Sequence, residues 1–194
     1  RRLPKLKARD IPAEHAFCGS LHLEESYSAM LQSYQTASQG NLPLPPPSDV
    51  YCHTLTDRSI LSPELAAAGY HTLTLFGLDM PYRLFETDAV ERKAALTRHY
   101  LESLDRMCDE SFHDCLAVDS AGQPCIEIKT PQDLEAEVGL DRGNIFHNEL
   151  SWFFTDERDA VGRWGVETPY ERVYRAGSSA LRGGAVSGIP GYNA

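Results

Sequence analysis

The residues with the clearest capacity for chemistry lie at the carboxyl end. Val173-Tyr174-Arg175-Ala176-Gly177-Ser178-Ser179-Ala180-Leu181-Arg182-Gly183-Gly184-Ala185-Val186-Ser187-Gly188-Ile189-Pro190-Gly191-Tyr192-Asn193-Ala194 reads as a short strand, a glycine-rich turn and the opening of a helix. Glycines at 177, 183, 184 and 188 remove Cβ atoms where a backbone must turn through positive φ, or where another molecule must come within contact distance. Unpaired main-chain N–H groups at a helix start, backed by the positive end of the helix dipole, suit an anionic ligand such as a phosphate or a ring oxygen gaining charge. The same glycine content also fits a plain connection or a frayed chain end.

A second candidate is His147 with Glu149. Two residues apart on an extended segment, their side chains point the same way and could form an acid–base pair. A histidine between Phe146 and Asn148 equally fits a hydrogen-bonded packing residue. Asn144 and Trp152 could border the same site, whereas Trp152-Phe153-Phe154 also fits a hydrophobic core. His113 lies between Cys108 and Cys115, but the spacing matches no zinc pattern, so no metal site is expected there. A nucleophile elbow of the Gly-x-Ser-x-Gly kind is absent, which sets aside a stand-alone hydrolase.

These residues need elements to position them. Between Glu24 and Gln39 the apolar residues Tyr27, Met30, Leu31, Tyr34 and Ala37 recur at helical spacing, with Gly40 as the stop, and predict an amphipathic helix with that face against a core. Asn41 to Ser48 carries prolines at 43, 45, 46 and 47 and is an extended connector. Val50 to Thr56 alternates as a strand. Ser62-Pro63-Glu64 supplies a cap, a first-turn proline and an acid for a short helix closed by Gly69. Tyr70 to Leu78 is the strongest strand signal, with Tyr70, Thr72, Thr74 and Phe76 on one face and His71, Leu73, Leu75 and Gly77 on the other. One of its faces could floor a pocket, or both could be packed as in a central strand. Thr87 or Asp88 caps a long helix to about Met107, with Val90, Ala94, Leu101 and Leu104 on its buried stripe. Ile126 to Lys129 reads as a brief strand, and Thr130-Pro131 opens a helix ended by Gly139. Strands and helices alternating in this way indicate a mixed α/β or α+β fold.

The 194 residues suffice for one domain, or for one domain and part of another. A hydrophobic share of 42% and a charged share of 24% are those of a globular protein. The net charge of -10 argues against a nucleic-acid partner. The basic run Arg1, Arg2, Lys5, Lys7 and Arg9 is the exception, expected to be a solvated segment ahead of the fold. No apolar run approaches the ~20 residues of a membrane span. Five scattered cysteines without a Cys-x-x-Cys pair imply reduced thiols in a reducing, cytoplasmic setting.

In residue order, Gly177-Ser178-Ser179, Arg182-Gly183-Gly184, Val186-Ser187-Gly188-Ile189-Pro190-Gly191 and Asn193-Ala194, entered from Val173-Tyr174, resemble the C-terminal flavin-binding signature of the phytoene-dehydrogenase-like FAD oxidoreductases. Gly139-Leu140-Asp141-Arg142-Gly143-Asn144-Ile145-Phe146-His147-Asn148-Glu149-Leu150 resembles a second segment of that group. Tyr51 to Leu65 and Gly69 to Gly77 resemble its substrate-side part. The resemblance covers most of the chain. It implies FAD as cofactor, with contacts from Gly177, Ser178, Gly183, Gly184, Ala185 and Val186, and with Gly188 allowing close helix approach. It further implies a substrate-side domain over residues 1–150 and a return segment to a Rossmann-like FAD domain over 151–194. A flavin carries its own redox chemistry, so no catalytic triad is needed; His147 is the one candidate catalytic residue.

The implied reaction is removal of hydride and a proton from a C–C or C–N bond of a small apolar substrate. No Gly-x-Gly-x-x-Gly strand–turn–helix for the ADP half of FAD is found, so an N-terminal FAD-binding half is the expected partner. On that reading the chain is a C-terminal part, or a truncated copy, of a longer flavoprotein. The alternative is a non-catalytic fragment or interaction domain that keeps the fold without flavin. Arg175 departs from the family pattern by placing a charge in the entering strand, and is expected at a strand end or paired.

Overall fold

The computed structural model describes residues 2–8, 10–147, 158–181 and 188–194. Its helices and strands occur in the order α1 (Ala13–Ala16), β1 (Leu21–Leu23), α2 (Tyr27–Ser38), β2 (Ser48–Tyr51), α3 (Pro63–Ala67), β3 (Thr74–Gly77), α4 (Ala89–Met107), α5 (Phe112–Cys115), α6 (Pro131–Val138) and α7 (Ile189–Asn193). This is a mixed α/β fold, as expected. The chain divides into two compact units, Arg1–Thr130 and Pro131–Ala194. The boundary expected at residues 150 and 151 lies outside the described residues.

The first unit is built on an antiparallel sheet of order β1-β2-β3. Leu21 faces Val50 and Leu23 faces Ser48 across the first pair, and Val50 faces Leu75 across the second. Because side chains alternate along a strand, this register sends Leu21, Leu23, Val50 and Leu75 to one face and His22, Asp49, Thr74 and Phe76 to the other. The first face packs with Leu3, Phe17, Cys52, Leu104, Cys108 and Phe112 into one hydrophobic cluster.

Two strands are shorter than their patterns suggest. β2 ends at Tyr51, and His53–Leu55 forms a single 3₁₀ turn instead. The buried Thr54 hydroxyl accepts a hydrogen bond from the Thr72 N–H at 3.1 Å, a side-chain-to-backbone bond that competes with continued ladder pairing. β3 keeps only Thr74–Gly77 and is an edge strand, with Thr74 and Phe76 exposed and Leu75 turned inward. The alternation of faces is therefore as read, but packing on both faces is not. The brief strand at Ile126 to Lys129 is absent; that segment has no ladder pairing, and Ile126 N instead donates back to Pro124 O at 2.9 Å.

The cap read at Ser62 forms. The Ser62 hydroxyl accepts from the Leu65 N–H at 3.4 Å, with Pro63 in the first turn of α3 and Gly69 in the left-handed region after it. Helix faces are less faithful. In α2 the buried residues are Ser33 and Ala37, whereas Tyr27 (85% exposed), Leu31 and Tyr34 point to solvent. Small side chains on the inner face allow close approach, and cations hold the carboxyl end of the helix and the turn after it, with Arg83 Nη2 donating to Ala37 O at 3.0 Å and Arg92 Nη1 to Gly40 O at 3.2 Å. In α4, Leu104 is buried as expected, but Val90 and Ala94 are exposed and the inner stripe runs instead through Leu96, Ser103 and Leu104. Asp88 precedes α4 in the left-handed region and makes no side-chain cap bond.

α4 joins two clusters. Leu104 and Leu101 belong to the sheet cluster, while Leu96 packs with Ala37, Leu84 and Phe85 in a second one that Tyr100 borders. Residues 2–7 of the basic N-terminal stretch pack into this arrangement, although the side chains of Arg2, Lys5 and Lys7 are exposed. Leu3 is buried, Lys7 N donates to Met107 O and Asp109 N to Lys5 O, both at 2.8 Å, and Arg2 pairs with Glu110. All five cysteines are free thiols, with Cys52, Cys108 and Cys115 buried. Burial raises the Cys108 thiol to about 11. No helix of the described residues is long and apolar enough to cross a membrane.

Two outcomes follow from this packing. The Arg2 side chain, and then the Lys5 N–H, hold the Glu110 carboxyl at about 2 rather than its ordinary 4.5. A carboxyl depressed in the folded state contributes stability that is complete above the ordinary value and lost as pH falls through the folded one. Glu110→Gln is therefore expected to lower stability at neutral pH and to flatten its decline from pH 4.5 toward pH 2, read from denaturant midpoints across that range. A Cβ at Gly77 would overlap Tyr100 Oη, the tip of a half-buried, rigid ring. Gly77→Ala is expected to cost about 1–3 kcal/mol in chemical unfolding, and adding Tyr100→Phe to restore part of it.

Candidate functional site

The segment from Gly139 to His147 is a tight reversal closing α6. Gly139 ends the helix in the left-handed region, as a glycine just past a helix does. Arg142 and Gly143 follow with φ of 51° and 67°, and Arg142 N donates to Glu135 Oε1 at 2.9 Å, which folds the turn back onto the helix. A Cβ at Gly143 would lie 2.5 Å from Pro131 Cα, so the backbone there passes directly over the start of α6. Asn144 continues the turn through both its polar groups: its Oδ1 accepts from Phe146 N at 3.0 Å and its main-chain oxygen from His147 N at 2.9 Å.

His147 is exposed and has φ of 63°. It therefore ends a turn rather than sitting on an extended segment. Glu149 and Trp152 lie outside the described residues.

The entry to the carboxyl-terminal glycines is a narrow antiparallel pairing rather than a full strand. Glu167 and Tyr174 form an isolated bridge, Arg175 N donates to Val166 O at 2.7 Å, and Leu181 N donates to Gly165 O at 2.9 Å. Glu167 fixes the other limb: its Oε1 accepts from Trp164 N and its Oε2 from Gly165 N, both at 2.9 Å, and these backbone bonds hold its carboxyl below the usual carboxylate range. Val166 and Ala180 are buried inside this pairing. Arg175 is half-buried and pairs with a carbonyl, its Nη1 donating to Ser179 O at 3.0 Å, while its buried Nε has no hydrogen-bond partner. The charge that the sequence places here is thus met by a backbone dipole.

Gly177 is exposed, and a Cβ built there would meet nothing within 4 Å; its φ lies outside the left-handed region. Ser178 beside it is half-buried. Gly188 has φ of 69° and precedes α7, a single turn that carries Pro190 near its start. Gly183, Gly184, Ala185 and Val186 lie outside the described residues.

One polar network escaped the sequence reading. His71 Nδ1 lies 3.2 Å from Thr54 Oγ1, 3.4 Å from Arg58 Nη1 and 3.7 Å from Cys52 Sγ. Arginine can only donate, so Nδ1 is the accepting nitrogen and the ring proton sits on Nε2. Burial, and then the Arg58 charge, lower the His71 pKa, which favours this neutral ring. Arg58 is held by Tyr70 O at 2.9 Å and Ala66 O at 2.6 Å. Beside Cys52, Tyr51 and His53 line a shallow cleft of about 210 Å³ with Phe17 and Cys18, smaller than the ~300–1,000 Å³ usual for a site enclosing an organic ligand. The signal was present in sequence as Cys52, Thr54, Arg58 and His71, but their meeting depends on the chain doubling back through α3.

Against known proteins, this chain is 44% identical over 199 aligned positions to an uncharacterised protein of Mycobacterium tuberculosis, covering 100% of the chain and 37% of that protein. It is 31% identical over 201 positions to pyridine nucleotide-disulfide oxidoreductase domain-containing protein 2 of Rattus norvegicus, covering 100% of the chain and 32% of that protein. The Mus musculus protein of the same name is 30% identical over 205 positions. The chain thus spans about a third of the length of the curated relatives it matches. No family model matches it, and no solved structure does.

The two glycines of the α6 reversal have different duties, and substitution separates them. Gly139→Ala meets only left-handed strain, about 1–2 kcal/mol. Gly143→Ala meets that strain and Pro131 as well, and is expected to cost about 1–3 kcal/mol more. Amide exchange over Pro131–Val138 is the readout; equal acceleration in both variants would contradict the close approach.

Proposed function

We propose that this chain is the substrate-side and flavin-facing portion of an FAD-dependent oxidoreductase of the phytoene-dehydrogenase-like group. The observation that carries the reading is the alignment of the whole chain with proteins named for a pyridine nucleotide-disulfide oxidoreductase domain. The order of its glycine motifs, residues 139–150 before 177–191, adds to that support.

The described flanks of the carboxyl-terminal motif fit a cofactor that approaches main chain. Among the described residues a Cβ at Gly177 would meet nothing within 4 Å, and Gly188 turns through positive φ immediately before a helix. In this reading Gly177, Ser178, Gly183, Gly184, Ala185 and Val186 hold FAD through main-chain amides, and Gly188 allows the close approach. Bound flavin supplies the two-electron acceptor chemistry. The chain's own residues position a C–C or C–N bond of a small apolar substrate and exclude water. His147, exposed at its turn, takes the proton released when hydride leaves the substrate. Residues 1–150 would belong to the substrate side and 151–194 to the return toward the FAD domain. The remaining two thirds of such a protein would hold the ADP half of the cofactor.

A second reading, an interaction domain without flavin, draws on the exposed Tyr27, Leu31 and Tyr34 on one side of α2.

The test joins this chain to the preceding portion of the mycobacterial relative and measures flavin absorbance per polypeptide after purification. Near-stoichiometric flavin is expected, falling about tenfold or more in Gly183→Val, where a branched side chain would fill the space next to the main-chain amides. A folded but colourless fusion would overturn the flavin reading and favour the interaction domain.

A further inference from the structure

On the outer face of the sheet, β1 and β2 bring together three groups that no part of the flavin reading uses. His22 and Asp49 are directly opposed in the β1–β2 register, so their side chains leave the same face as close neighbours. Glu25 comes from the turn after β1. Glu24 adopts φ of 57° there and is anchored through its carboxylate to Arg106 Nη2 at 2.5 Å, which turns the chain and returns the next side chain toward the strand pair. One ligand atom from each of His22, Glu25 and Asp49 lies within 4.8 Å of the other two.

We propose that His22, Glu25 and Asp49 form a binding site for one divalent transition-metal cation, of the Zn²⁺ class. The donor set is one imidazole nitrogen with two carboxylates, a combination that suits Zn²⁺ and its first-row neighbours better than the all-oxygen shells of Mg²⁺ or Ca²⁺. Three protein ligands leave a fourth position to water.

The carboxylates here differ from ordinary solvated acids. Their side chains are only 17% exposed for Glu25 and 18% for Asp49. Glu25 Oε1 is fully shielded and has no hydrogen-bond partner, and the equally shielded Asp49 Oδ1 meets only the His22 ring. Shielded carboxylate oxygens without a donor are costly, and a cation is a partner that removes that cost.

The imidazole does not remove it alone. Nδ1 lies 2.6 Å from both Glu25 Oε2 and Asp49 Oδ1. A ring nitrogen offers one in-plane direction, so it serves Glu25, and Asp49 Oδ1 stays in contact without a hydrogen bond. The Tyr51 hydroxyl donates to Asp49 Oδ2 at 3.1 Å. It fixes that carboxylate with Oδ1 toward the cluster, as outer partners of metal ligands do. Ligands of a tetrahedral Zn²⁺ stand about 3.3–3.6 Å apart, given bonds of about 2.0–2.2 Å. The ring therefore needs to withdraw by less than about 1 Å, and His22, 57% exposed, has solvent to withdraw into.

The test is calorimetric titration of the chelator-stripped 194-residue chain with ZnCl₂ near neutral pH. Wild type is expected to take up one equivalent with a micromolar Kd. His22→Gln and Asp49→Asn are each expected to weaken binding about tenfold or more with unchanged circular dichroism. A Cys18→Ser/Cys125→Ser variant, which removes the two exposed thiols, is expected to bind as wild type does. Absence of uptake by wild type, undiminished binding in His22→Gln, or loss of binding in the serine variant would each overturn the proposal.

Discussion

The first unit depends on α4 having its inner stripe shared between two hydrophobic clusters. Leu104 belongs to the cluster under the sheet and Leu96, two turns earlier, to the one formed with α2 and Leu84-Phe85. Each fully buried leucine is worth about 1.5–3 kcal/mol, so a change in the helix's rotation would expose both clusters at once. That constraint explains why the N-terminal segment pairs with residues following the helix. Lys5 and Lys7 lock onto Asp109 and Met107 through main-chain bonds, and Leu3 closes the sheet cluster.

Legibility in the sequence follows the range of the interaction responsible. Ser62 with Pro63, and Gly69 and Gly139 beyond their helices, act within one turn, and each stands where it was read. The rotation of α2 was not legible because Tyr27, Leu31 and Tyr34 obey the helical period as well as Ser33 and Ala37 do. What selects between them is long-range packing, which sets Ala37 against Leu84, Phe85 and Leu96. Strand ends fail for a related reason. Thr54 satisfies the alternation of β2 but has a better use for its hydroxyl at Thr72, a bond that depends on the chain returning from 18 residues away.

The candidate sites divide along the same line. Glycine motifs are contiguous and are read directly, whereas His22, Glu25 and Asp49, or Cys52, Thr54, Arg58 and His71, carry no diagnostic spacing. They meet because β1 pairs with β2 in one register and because α3 doubles the chain back. A register slip of one residue would send His22 into the core face and separate it from Asp49. The polar cluster is therefore held by the pattern of apolar residues on the opposite side of the sheet, Leu21, Leu23 and Val50, rather than by anything near it in sequence.

Glycines in the second unit separate fold requirements from ligand requirements. Gly139 and Gly143 both occupy the left-handed region, and Gly143 also lies against Pro131. Their presence is accounted for by closure of α6, so that motif would persist in a protein that bound nothing. Among the described residues Gly177 has neither reason: its φ is not left-handed and a Cβ there would meet nothing within 4 Å. Glycine without an internal need costs about 0.5–1 kcal/mol relative to alanine in ordered chain. Within the flavin reading that cost has a return, because a side chain at 177 would occupy the space through which a planar ring must reach the main chain.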